Sequence, residues 1–147
     1  MSHMLDSNFR YKFLLVEDNV GDVLLTKRAV SRMASPVDLS VAIDGVDALS
    51  FLRKEGRYTQ APRPQLILLD LHLPRKDGRQ VLREVKADAD LRTIPIIILT
   101  TSSAPADIKN AYELHANGYL SKPVGFEGFV QMLDAVNHFW LTVAHLP

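Results

Sequence analysis

Cysteine is absent from the 147-residue chain. Disulfides, thiol nucleophiles and thiolate metal sites are therefore excluded. No apolar run approaches the roughly 20 residues of a membrane span. The N-terminus does not have the layout of a signal peptide, so a cytoplasmic location is expected. Neither sign of charge is in excess: 17 basic and 17 acidic residues cancel, which argues against electrostatic capture by nucleic acid or an anionic membrane. A Walker-type glycine-rich loop is missing, which disfavours a nucleotide hydrolase. Internal repeats and low-complexity segments are missing too. What is left is an ordinary globular composition, 47% hydrophobic and 23% charged, at a length suited to one domain with a real core. That domain is expected over residues 11–147. Residues 1–10 read as an N-terminal tail, with Met1-Ser2-His3-Met4 set aside from the fold.

The most informative stretch is Pro64 to Gly78. Leu66 to Leu69 is a short, unbroken apolar run flanked by prolines and closed by Asp70. Such a run suits a strand covered on both faces. In open parallel sheets, ligands bind just beyond the carboxyl ends of the strands. Asp70 would stand at that end, with Pro74 and the turn pair Asp77-Gly78 closing the loop behind it.

Taken in order, Tyr11 to Val16 reads as a first buried strand running into Glu17-Asp18-Asn19. Val23, Leu24, Ala29, Val30 and Met33 then recur at helical spacing. Leu39 to Ile43 reads as a second strand ended by Asp44-Gly45, and Ala48, Leu49 and Leu52 mark a second helix. Residues 57–64 read as a loop. After the Asp70 strand, Val81, Leu82 and Val85 mark a third helix. Ile96 to Leu99 is a fourth strand running into Thr100. Ile108, Ala111 and Tyr112 suggest a fourth helix closed by Asn117-Gly118. Tyr119-Leu120 is a fifth strand running into Ser121-Lys122-Pro123, and a last helix is expected from Phe126 to Val143.

Five alternations of strand and helix imply a parallel sheet with helices on both faces, an α/β fold. Right-handed crossovers bring all five strand ends to one rim. Glu17-Asp18, Asp44-Gly45, Asp70, Thr100 and Lys122-Pro123 would meet there. Several carboxylates held close together repel one another unless a cation sits among them, and magnesium prefers oxygen ligands. Asp44-Gly45 and Asp77-Gly78 are read as turns. His72 is not read as an imidazole ligand, because no second histidine lies at ligand spacing to it. His138 and His145 are read as surface or interface residues rather than a metal pair.

In these elements the chain resembles the receiver domain of bacterial two-component response regulators, over about Tyr11 to Leu141. The matching residues are Glu17-Asp18, Asp70 with Pro74 and Asp77-Gly78, Thr100, and Lys122-Pro123. The resemblance implies a flavodoxin-like (βα)5 fold with strand order 2-1-3-4-5. It implies that Asp70 accepts a phosphoryl group from the phosphohistidine of a sensor histidine kinase, as carboxylates can. The protein would then be a signalling phosphoacceptor rather than an enzyme, with only self-directed phosphotransfer and autodephosphorylation. The expected metal is Mg2+, with Mn2+ or Ca2+ able to substitute. Asp18 and Asp70 would be its direct ligands, Glu17 would act directly or through water, and the backbone carbonyl of His72 would complete the protein ligands. Lys122 and Thr100 would meet phosphoryl oxygens, with the backbone amide of Thr101 as a further donor. Thr100 and Tyr119 would form the switch, and the Lys122-Pro123 bond would be cis.

The long basic loop from Glu55 to Gln65, the run Asp18 to Asp22 and the ending Phe139-Trp140-Leu141 resemble the single-domain regulators paired with bacterial phytochromes. A phytochrome kinase is thus the expected partner. With no recognition helix for nucleic acid, output is expected through protein contacts. The run Phe126, Phe129, Val130, Leu133, Val136, Phe139, Trp140, Leu141, Val143 and Leu146 is very apolar for a lone surface helix. It predicts a homodimer on the face of the fourth helix, fifth strand and fifth helix together with the C-terminal tail, the alternative being a monomer whose tail folds back over its own domain. Two other classes compete. A receiver-like interaction module would never carry phosphate, yet Asp18, Asp70, Thr100 and Lys122 are all retained. An aspartyl phosphohydrolase needs an acid two residues after its nucleophile, where this chain has His72.

Overall fold

In the computed structural model, residues 9–147 are described. Strands β1 (Tyr11–Val16), β2 (Val37–Ala42), β3 (Leu66–Leu69), β4 (Ile96–Thr100) and β5 (Gly118–Ser121) alternate with helices α1 (Val20–Ser31), α2 (Gly45–Arg53), α3 (Gly78–Ala87), α4 (Pro105–Glu113) and α5 (Gly125–Val136). All neighbouring strands pair in parallel, in the order β2-β1-β3-β4-β5. This is the expected flavodoxin-like α/β arrangement. No helix among the described residues is long and apolar enough to cross a membrane.

The period of two in a strand divides the core. Leu14, Val16, Ile67, Leu69, Ile96 and Ile98 point to one face, where α2, α3 and α4 cover them. Phe13, Leu15, Leu66, Leu68 and Ile97 point to the other, beneath α1 and α5. All four residues of β3 are buried, which is why its sequence shows no alternation. Each such side chain contributes about 1.5–3 kcal/mol of transfer free energy.

Several element ends differ from expectation. β2 starts at Val37 and stops at Ala42, leaving Ile43 exposed. Leu24, one of the apolar residues at helical spacing, is also exposed. α4 does not run on to Asn117-Gly118: His115 adopts a left-handed φ of 72° and turns the chain. Asn117 serves the sheet instead, its Oδ1 accepting from the Ile96 amide and from Lys86 Nζ, each at 2.9 Å. The 57–64 loop opens with a single 3₁₀ turn at Gly56–Tyr58. α5 does not stay α-helical to Val143: from Asn137 to Val143 the chain is a π-helix, a wider coil that changes which residues face inward.

α5 and the π-helical tail after it spend most of their apolar face on their own domain. Phe129, Leu133, Val136 and Leu141 are buried, and Trp140 and Leu146 pack against the same cluster. The Tyr11 hydroxyl donates to the Leu141 carbonyl at 3.2 Å, fastening the tail to β1. Phe139 and Val143 stay exposed, at 51% and 56%.

Candidate phosphoacceptor site

The strand register gathers the site. Val16 lies opposite both Ala42 and Leu69, Leu69 opposite Ile98, and Thr100 opposite Ser121. The ladder continues one residue further: the Glu17 amide donates to the Ala42 carbonyl at 2.9 Å, Asp70 to Val16 at 3.1 Å, and Lys122 to Thr100 at 2.7 Å. Side chains on those residues share one rim because the backbone leaves them no other level. Gly78 lets the start of α3 close behind Asp70: a Cβ there would lie 2.1 Å from the Asp70 carbonyl oxygen.

Carboxylate oxygens of Glu17, Asp18 and Asp70 lie within 4.8 Å of one another. Lys122 Nζ stands among the acids, 2.5 Å from Glu17 Oε1, 2.9 Å from Asp70 Oδ2 and 2.9 Å from Asp22 Oδ2. The Asn19 amide donates to Glu17 Oε2 at 3.1 Å, and the His72 amide donates to Asp70 Oδ1 at 3.2 Å.

These contacts set two carboxylates apart. Burial pushes the Glu17 carboxyl up to about 7, against hydrogen bonds from Lys122 and the Asn19 amide and with help from the Asp70 charge. Burial opposes ionisation of Asp70 as well. There, however, the Lys122 and His72 hydrogen bonds and the lysine charge win, holding its carboxyl below the usual value. The Lys122 ammonium, penalised by burial, is nevertheless held more basic than usual by Glu17, Asp22 and Asp70.

Thr100 Oγ1 is buried with no hydrogen-bond partner of ordinary geometry, although it lies close enough to favour the Asp70 charge. Buried hydroxyls are nearly always satisfied, so an unpartnered one beside the Asp70 carboxylate marks a place for an acceptor. The half-buried Tyr119 donates through its hydroxyl to the Ser102 carbonyl at 2.9 Å. Ser102 Oγ in turn donates to Asp107 Oδ2 at 2.5 Å, and Arg79 Nη2 to Asp107 Oδ1 at 2.7 Å.

Asp44 and Asp77 cap α2 and α3, accepting from the Asp47 and Gln80 amides at 2.7 and 3.1 Å. They are structural, as their turn pairs suggested. The cis Lys122-Pro123 bond is a correction: no peptide bond among the described residues is cis. The trans form is the intrinsically favoured one even before proline, and the backbone hydrogen bond from Lys122 to Thr100 already directs the lysine into the site.

Asp22 was missed as a site residue. In the sequence, the run Asp18 to Asp22 reads only as a mark of family resemblance. The available signal was the place of Asp22 in the first turn of a helix separated from β1 by only three residues, at the same rim.

Residues 13–134 match the response regulator receiver domain. The chain belongs to that family. It is 42% identical to the response regulator Rcp1 of Synechocystis sp. over 142 residues, 97% of each chain. It superposes with a TM-score of 0.89 on the phosphorylated cyanobacterial phytochrome response regulator RcpA, at 42% identity and covering 95% of this chain and 99% of that one. The Mn2+-bound form of Rcp1 matches with a TM-score of 0.86, again at 42% identity, over 93% of this chain and 99% of that one. This receiver therefore has phytochrome-associated single-domain response regulators among its relatives. Its own Glu17, Asp18 and Asp70 form an all-oxygen donor set, which fits a hard divalent cation such as magnesium or manganese.

Proposed function

We propose that this receiver accepts a phosphoryl group on Asp70 from the phosphohistidine of a sensor histidine kinase, and signals the change through protein contacts. The observation that carries this reading is the pairing of an ionised, lysine-held Asp70 with the unpartnered Thr100 hydroxyl beside it. In the transfer, an Asp70 carboxylate oxygen forms a bond to phosphorus while the phosphorus–nitrogen bond to histidine breaks. The electron pair of that bond stays on the imidazole, and Asp70 becomes an acyl phosphate. Such transfer depends on positioning and charge neutralisation more than on covalent help.

Lys122 supplies a compact positive charge to the phosphoryl oxygens, and Thr100 supplies a donor. The Thr101 amide is the further donor. Glu17, Asp18 and Asp70, with the His72 backbone carbonyl, would hold magnesium, which supplies charge neutralisation at the phosphoryl oxygens. Recruitment of Thr100 toward the phosphoryl group would leave room behind it. Tyr119 would then exchange its bond to the Ser102 carbonyl for an inward position, a two-state element biased by the new charge.

The relatives named for phytochrome signalling support a phytochrome-linked kinase as phosphodonor; a cytoplasmic setting is part of the same proposal. The groove between β5 and α5, lined by Leu120, Met132, Phe139 and Trp140, supports a homodimer through the α4–β5–α5 face.

Intact-mass measurement after incubation with acetyl phosphate and magnesium tests the chemistry. One phosphoryl increment is expected on the wild type and none on Asp70→Asn or after chelation. An increment on Asp70→Asn at the wild-type rate would refute the assignment. Phosphotransfer from a panel of autophosphorylated kinases, one of them a phytochrome kinase, tests the partner.

A further inference from the structure

Lys122 has three N–H donors and three carboxylates around it. Its ammonium is shared among Glu17, Asp22 and Asp70 at 2.5, 2.9 and 2.9 Å. A lysine so engaged cannot also donate to a phosphoryl oxygen without giving up a partner. Glu17 and Asp70 belong to the group whose oxygens converge within 4.8 Å, and Asp22 does not. The three also differ in access to water. The Glu17 and Asp70 side chains are 2% and 7% exposed, whereas that of Asp22 is 25% exposed at the mouth of the site. A released carboxylate is far cheaper to leave unpaired where water can reach it. Asp22 is also held by backbone features independent of the lysine: its amide donates to Asn19 Oδ1 at 2.9 Å and its carbonyl accepts from Thr26 Oγ1 at 2.7 Å. Loss of the Lys122 contact would leave the first turn of α1 in place.

We infer that Asp22 is the exchangeable partner of Lys122: its carboxylate restrains the ammonium before phosphorylation and is displaced from it by the arriving phosphoryl oxygens. Asp22 is thus a positioning residue that acts through Lys122 and sets how readily Asp70 is phosphorylated. A contact made before transfer and lost during it stabilises the starting state alone, so it slows the reaction. Its negative charge also repels an anionic phosphodonor. This inference rests on the phosphoacceptor reading.

The experiment compares wild type, Asp22→Asn and Asp22→Ala, with magnesium, for the rate of Asp70 labelling by acetyl phosphate. Both variants are expected to label about three- to tenfold faster, the range of a surface-accessible charged contact worth about 0.7–1.4 kcal/mol. Affinity for beryllofluoride, a phosphoryl mimic, is expected to rise by a similar factor, while affinity for Mn2+ alone does not rise. A merely structural role for Asp22 would not separate these two ligands. Rates equal to or below wild type in either variant would overturn the inference. So would a rise in Mn2+ affinity matching that for beryllofluoride. Wild-type protein that takes no label would overturn the phosphoacceptor reading itself; labelled wild type with unchanged Asp22 variants would overturn this inference alone.

Discussion

Lys122 Nζ and Glu17 Oε1 lie 2.5 Å apart, with both side chains almost sealed from water. The pairing does not fully offset the burial of Glu17, whose carboxyl is pushed up from its ordinary 4.5 to about 7. A group whose folded value is raised contributes stability that is full below its unfolded value and lost as pH rises through the folded one. In chelator, the protein is therefore expected to lose stability between about pH 4.5 and 7, with a slope of at most about 1.4 kcal/mol per pH unit from this one group. Asp70, with its depressed value, acts at the acid end instead, losing its contribution as pH falls through its folded value. Urea unfolding across a pH series checks this. Glu17→Gln should flatten the slope, and an unaltered slope would reject the assignment.

Gly78 permits the close approach of α3 to the Asp70 backbone. Since an added Cβ would lie 2.1 Å from the Asp70 carbonyl oxygen and 2.7 Å from Leu71 Cα, Gly78→Ala must push apart two backbone segments. A loss of about 1–3 kcal/mol is expected, read as a fall in melting temperature of roughly 3–9 °C, together with slower labelling of Asp70. Gly118→Ala is the comparison, because its Cβ would meet only the Ile97 side chain at 3.6 Å. Equal melting temperatures for the two variants would count against this account.

Thr100→Val should separate stability from function. The hydroxyl is buried and unpartnered, and an unsatisfied buried polar group costs about 1–3 kcal/mol. Replacing it with a methyl group of similar shape should leave the melting temperature unchanged or raise it. Acetyl phosphate labelling should slow by about tenfold, the effect of removing a donor worth about 1.4 kcal/mol. A protein that melts several degrees lower would show that the hydroxyl already has a partner.

Phe139 is the side chain on which to test self-association. Trp140 packs against its own domain, so its removal would confuse folding with assembly; Phe139 is half exposed and forms an edge-to-face pair with Trp140 at 5.2 Å. Sedimentation at micromolar concentration should give a dimer for wild type and a species near 16.5 kDa for Phe139→Glu, at similar melting temperatures. Wild type sedimenting near 16.5 kDa, with or without phosphorylation, would remove the dimer.

Much of the fold was legible because the strands are buried on both faces and the turns are marked. Tyr11–Val16 and Leu66–Leu69 stand at the residues expected, since an apolar run between prolines or charged residues has little freedom to slide. Ends set by tertiary contact were not legible. Nothing local in His115 announces a left-handed turn, and Asn117-Gly118 has the composition of a helix stop although Asn117 serves β4 and Lys86. The burial of Leu141 and Trp140 within the same chain was equally hidden, because an apolar tail reads alike whether it covers its own core or a partner's.

The alternation of strands and helices is written in the residue order, and with it the rim where Glu17, Asp18, Asp70, Thr100 and Lys122 meet. Those residues end strands, and parallel pairing puts strand ends on one edge. How the charges are shared follows from packing across the whole domain. Asp22 and Lys122 are one hundred residues apart in the chain, and no spacing rule links them. They meet because only three residues separate β1 from α1, bringing the first turn of α1 within reach of a lysine immediately after β5. Burial, a property of the whole packed domain, then makes Glu17 hard to ionise while the lysine keeps Asp70 charged.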